Sequence, residues 1–236
     1  KQFNSVLGIP TTDPMLGSKG VGPLDLTEQT MLTQASTTSA TISVGDLSMN
    51  ATELQANVTV TNKTGHKFPS GVGFRRAFVD FVVLDAKGNV LWESGRTNAA
   101  GVLTDQNGQP IAGELWWKGD CLGQVNRPGH NLHQPHYRVI SQQDQVQIFQ
   151  ELVTTPPPTG PANCGRHSDP SGQLTTSFLS ICGTLKDNRL LPQGFLPLDQ
   201  RIQISRALGA GEDMAEDSGA VGTGDDPAYK TGGGDT

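Results

Sequence analysis

Glycine and proline punctuate this chain so densely that long helices have nowhere to form. There are 29 glycines and 15 prolines in 236 residues, and they are spread along most of the length. Each glycine raises the entropic cost of a helix interior, and each proline removes a backbone donor and clashes with the preceding turn. Short strands joined by many loops are the economical solution. The clearest run obeys it: Leu54, Ala56, Val58 and Val60 alternate with Gln55, Asn57 and Thr59, a period of two with one apolar face. Ala77 to Leu84 is mostly apolar, which predicts a strand covered on both faces, and Asp85-Ala-Lys-Gly-Asn89 is a tight turn into Val90 to Ser94. Tyr137 to Ile140 and Val146 to Leu152 are further strand candidates. The fold class expected is mainly β, an antiparallel immunoglobulin-like β-sandwich with one or two short helices and long loops.

Helical spacing is expected in two places. A short helix containing Met31 and Leu32 follows a cap at Asp25 or Thr27. Phe178, Ile181, Cys182 and Leu185 fall at i, i+3, i+4 and i+7, which predicts a buried helix face over 175–185 with Cys182 as a core thiol. Cys121 and Cys164 both lie in loops rich in Gly, Pro and Asn, where a covalent tie restrains chain with little packing of its own. A Cys121–Cys164 disulfide is the expectation, and with it an oxidising compartment. Three units result: residues 1–25 as a linker or extended arm, 26–208 as the β-sandwich domain, and 209–236 as an acidic, Gly-rich tail of low order unless a partner holds it.

The charge is −6, with 17 Lys and Arg against 23 Asp and Glu, which gives no electrostatic footprint for nucleic acid. No apolar run approaches the roughly 20 residues that a membrane-spanning helix needs. No GxSxG, HExxH, P-loop or GxGxxG pattern is present.

The most pointed local feature is Thr64-Gly-His-Lys-Phe-Pro-Ser-Gly71. Gly65 permits a positive φ beside His66 and Pro69 stiffens the far side, so the imidazole is presented at a fixed angle. A preset neutral imidazole suits a haem iron or another transition metal, although an exposed turn histidine has the same local sequence. His130, His133 and His136 recur every third residue, but Pro128 and Pro135 oppose the helix that would align them on a metal. Trp116 and Trp117 offer a stacking surface for a sugar or a protein, or simple core packing. The sequons at Asn50, Asn57 and Asn62 discriminate nothing.

Asn62-Lys-Thr-Gly-His-Lys-Phe-Pro-Ser-Gly71, Arg75-Arg-Ala-Phe78, Asp85-Ala-Lys-Gly88 and Glu93-Ser-Gly95 together resemble the C-terminal β domain of multihaem c-type cytochromes. Pro135-His-Tyr137, Asp144 to Phe149, Thr175 to Leu179, Leu185 to Pro192 and Gly232-Gly-Gly-Asp235 follow in the same order, so the likeness runs from about Met31 onward. The resemblance implies an electron-transfer accessory module of an exported cytochrome, periplasmic or extracellular, whose partners are a haem-bearing domain or chain and a redox protein. It implies that His66 is a distal axial ligand to haem iron and His136 a weaker one, with Arg75 and Arg76 meeting the propionates. This chain departs from the family in having no CxxCH, so the haem c belongs to another segment or chain and none is covalently attached here. The alternative from a different class is a cofactor-free exported binding or adhesion domain that recognises a glycan or protein through its loops. A metallohydrolase built on the histidine loop is the third.

Overall fold

The computed structural model describes residues 23–71, 75–114, 132–168 and 170–236. Cys121, Trp116, Trp117 and His130 lie outside them, as does most of the expected 1–25 arm. Within them the chain is mainly β, with antiparallel, sandwich-like sheets and short helices.

The alternating run forms β2 (Leu54–Asn62), which pairs antiparallel with β1 (Ala40–Met49); a bulge lies between Gly45 and Ser48, and Asp46 there has φ 48°. Ile42 stands opposite Val60 and Val44 opposite Val58, so one face of the hairpin is apolar. Only its base is covered. Ile42, Val44, Leu47 and Met49 are all more than half exposed.

The expected strand from Ala77 to Leu84 is interrupted. Arg76–Phe78 is β3 and Phe81–Leu84 is β4, which the Asp85 turn joins to β5 (Val90–Ser94). At the break, Gly95 packs so closely on the Val79 carbonyl that a Cβ there would come within 2.2 Å of its oxygen. β4 is also not covered on both faces, since Leu84 is 54% exposed. No strand forms over 137–140. The organising strand is β6 (Ile148–Thr154), which pairs with β3 along its first residues and, at Val153 and Thr154, with β7 (Leu174–Thr175) on one edge and β8 (Gly183–Asp187) on the other. Successive side chains on a strand point to opposite faces. Ile148 therefore packs with Leu103, Ile111 and Val146, while Phe149 packs with Val60, Leu190, Leu191 and Tyr229.

The helix expected over 175–185 is absent. Phe178–Ser180 is a single 3-10 turn, and Cys182 leads into β8. The i, i+3, i+4, i+7 spacing does not mark a buried helix face: Phe178 and Ile181 are 61% and 44% exposed. Cys182 is buried, yet it is bonded to Cys164 with Cα atoms 4.4 Å apart. This replaces both the expected Cys121–Cys164 pair and the free core thiol.

The expected helix with Met31 and Leu32 is present as α1 (Pro23–Thr33), which runs into a π-helical turn at Gln34–Thr38, and three helices that were not expected follow: α2 (Leu198–Ala207), α3 (Glu212–Asp217) and α4 (Ala228–Thr231). The last two belong to the segment expected to be a poorly ordered tail. It folds onto the body instead. Arg201 bonds the Leu196 and Ala215 carbonyls and the Ser218 hydroxyl, and its guanidinium lies 4.5 Å from the centre of the Phe195 ring. Tyr229 enters the core and its hydroxyl donates to the Asn188 carbonyl at 2.6 Å. β9 (Gly234–Asp235) then adds to the free edge of β2. A Cβ on Gly234 would lie 2.5 Å from the Val60 oxygen, and one on Gly232, where φ is 71°, would lie 2.4 Å from the Pro192 oxygen.

Candidate functional site

The histidine loop leaves the end of β2 and is built on Asn62, whose side chain is almost wholly buried. Its amide oxygen accepts from the Thr64 N–H and hydroxyl, and its amide nitrogen donates to the carbonyls of His66 (2.8 Å) and Leu190 (3.0 Å). Beyond His66, two backbone hydrogen bonds of 2.9 and 2.8 Å bridge Phe68 to Leu190. The loop is thus tied at both ends to one segment of the body.

His66 is exposed between these ties. Its Nδ1 lies 3.0 Å from the Lys67 carbonyl and 3.2 Å from the Thr64 hydroxyl. A carbonyl oxygen can only accept, so Nδ1 carries the ring proton of the neutral imidazole, and the lone pair is on Nε2. Nε2 has no partner among the described residues, on a side chain that is exposed. That is the donor geometry an axial haem ligand needs.

The two arginines differ. Arg75 is exposed, and among the described residues its one hydrogen bond is a 3.3 Å contact to the Ser70 carbonyl. Arg76 makes a two-pronged ion pair with Glu114, whose Oε2 also accepts from the Leu103 N–H. Its fork is occupied.

His136 sits in a different environment, with 2% of its side chain exposed. Gln147 fixes its state. The Gln147 Oε1 accepts from the Tyr137 N–H, so Nε2 of the amide is the donor to both His136 Nδ1 (3.0 Å) and Asp235 Oδ2 (2.8 Å). His136 Nδ1 is therefore an acceptor, and its Nε2–H donates to Asp226 Oδ2 at 3.0 Å. One donor atom each from His136, Asp226 and Asp235 lies within 4.8 Å of the others. A metal on Nε2 would need Nδ1 protonated, against a Gln147 amide that the Tyr137 N–H holds the wrong way round. The three residues do not fit a metal ion in this arrangement. Burial raises the carboxyl pKa of Asp235, opposed by the Gln147 hydrogen bond and His136. The ring of Tyr229 stacks edge-on at 5.1 Å and completes the packing. His136 is not presented to an iron from elsewhere. His167 is exposed, with a long 3.4 Å contact to the Glu216 carbonyl.

Sequence reasoning overlooked the ionic cluster behind His66. Asp187, fully buried, accepts from Lys67 Nζ (2.8 Å), from Arg189 Nε and Nη2 (both 2.8 Å), and from Arg166 Nη2. Burial would raise its pKa, but the Arg189 hydrogen bonds and the charges of Lys67, Arg189 and Arg166 more than offset this and hold it well below the carboxylate range. Arg166 and Arg189 both continue to Glu151. One residue away, Lys186 is buried without a carboxylate and donates to the carbonyls of Gln134, Pro135 and Ile148; burial pulls its pKa down to about 7. In sequence, Lys186-Asp-Asn-Arg189 reads as a solvated turn, and nothing local marks it as interior.

No protein-family model, no curated protein and no solved structure matches this chain.

Proposed function

We propose that this chain is an electron-transfer accessory module of an exported multihaem cytochrome c, capping a haem attached to another segment or chain and supplying His66 as its distal axial ligand. The observation that carries the reading is the imidazole itself: Nδ1 is committed to the Lys67 carbonyl and Nε2 is bare and exposed on a loop fixed at both ends. The bound haem supplies the redox couple. The chain supplies a nitrogen donor and cover from water, and both bear on the potential. Arg75 rather than Arg76 is free to meet a propionate. The Cys164–Cys182 bond fits the oxidising compartment that export implies.

The test is titration of the chain into a ferric c-type haem peptide that carries its own proximal histidine and one open axial position. The expected result is conversion to a low-spin bis-histidine spectrum, lost in His66→Ala. No conversion, or equal conversion with His66→Ala, refutes the reading. In the complete protein, His66→Met is expected to shift the potential of one haem and leave the others in place. The exposed row Ile42, Val44, Leu47 and Met49 favours a second reading, a cofactor-free binding module that docks a partner on this face and purifies colourless.

A further inference from the structure

We propose that Lys67 and Asp187 form a positioning relay for His66, setting from the protein interior which ring nitrogen of the exposed imidazole is offered to a metal. This deepens the reading of His66 as an axial ligand and rests on it.

The argument begins with the two directions in which adjacent residues of the loop point. His66 faces out, whereas the Lys67 side chain runs inward and is only 17% exposed. Its Nζ donates to Asp187 Oδ2 at 2.8 Å and to the Gly219 carbonyl at 2.6 Å. The same residue's carbonyl accepts the His66 Nδ1 proton at 3.0 Å. Lys67 is therefore held at its far end by the body while its backbone holds the ring.

Neutralising Asp187 does not require Lys67. Arg189 already binds both carboxylate oxygens and Arg166 binds one of them. The cluster of Lys67, Arg166, Arg189, Asp187 and Glu151 carries three cations against two anions. A third cation in a buried site that two arginines already serve is disfavoured by desolvation, and burial does lower the Lys67 pKa despite Asp187. What the third cation adds is position: a fixed anchor one residue from the imidazole. Asp187 is in turn held to the body by backbone hydrogen bonds of 2.9 Å in each direction with Val221.

The experiment reads the imidazole directly. The nitrogen chemical shifts of His66, recorded on the isolated chain above the titration range of histidine, report the share of the Nδ1–H tautomer. Lys67→Met keeps the apolar stem and leaves Asp187 with its two arginines. The expected result is a fall in the Nδ1–H share toward the mixture of an unconstrained histidine, with an unchanged circular dichroism spectrum, and about a tenfold loss of affinity for the haem peptide, in the range typical of groups that orient metal ligands. Lys67→Arg, which retains a cation for Asp187, is expected to keep most of the Nδ1–H share. Lys63→Met, on an exposed lysine of the same loop, is expected to change nothing. Should Lys67→Met not fold, Lys67→Leu, which likewise has no donor for Asp187 or the Gly219 carbonyl, is read the same way. A wild-type Nδ1–H share retained in the uncharged variant overturns the relay. Because the tautomer is read without haem, failure of the wild-type chain to bind the haem peptide counts against the axial-ligand reading alone.

Discussion

Removing the Cys164–Cys182 disulfide tests the part of the fold that differs most from what the sequence suggests. The two residues are 18 apart, and closing a loop of that length in the unfolded chain corresponds to about 3 kcal/mol in the chain-entropy model. The best variant is Cys164→Ser combined with Cys182→Ala. Cys164 is exposed and accepts a hydroxyl, whereas Cys182 is only 5% exposed and a serine there would bury an extra polar group. For a chain of this size, 1 kcal/mol corresponds to roughly 2–4 °C, so the melting midpoint is expected to fall by about 6–12 °C. Urea unfolding of the variant and the oxidised parent gives the free energy, and the parent in excess dithiol should approach the variant. A loss below about 1 kcal/mol would mean that the cross-link does not constrain the unfolded chain as its loop length requires. A non-reduced peptide map joining Cys121 to Cys164 would refute the pairing itself.

Two further measurements bear on the interior. Phe149→Ala removes a side chain that is 2% exposed at the meeting point of Val60, Leu190, Leu191 and Tyr229, and is expected to cost about 3–5 kcal/mol in denaturant unfolding; a cost below about 1 kcal/mol would contradict that core. Lys186 has a pKa lowered by burial to about 7 in the folded state, against roughly 10.4 unfolded. Between those values the unfolded chain binds the extra proton, so this residue's effect is a stability that rises with pH, by at most about 1.4 kcal/mol per pH unit. Lys186→Met is expected to remove that rise, and identical pH profiles of variant and parent would rule it out.

What the sequence discloses here is what is local. β2 follows from its alternation and the turn at Asp85 from an aspartate whose Oδ1 accepts from the Lys87 and Asn89 N–H groups, whereas Gly65 does not take the positive φ expected beside His66, and that loop is shaped by Asn62. The supports of that loop are not local. Lys67 and Asp187 are 120 residues apart, and no spacing rule links them. Cys182 misleads for the same reason: its neighbours repeat at a helical interval, but pairing with β6 draws Gly183–Asp187 into a strand, and tertiary contact overrides a four-residue coincidence. The end of the chain misleads through composition. Acid and glycine suggest disorder, yet Asp226 and Asp235 are buried acceptors and Tyr229 fills the core.

Gly232 and Gly234 invert the usual map of where a protein tolerates change. Hydrophobic residues are ordinarily the guarded ones, yet here Ile42, Val44 and Met49 project into open space. At Gly232 and Gly234 a single carbon would collide with a backbone oxygen. A side chain at Gly234 pushes β9 away from β2, and Asp235, one residue further on, leaves Gln147 without its acceptor and the His136 amide contact without its anchor. A methyl group on the most featureless stretch of the chain would therefore be felt at a buried histidine 98 positions earlier.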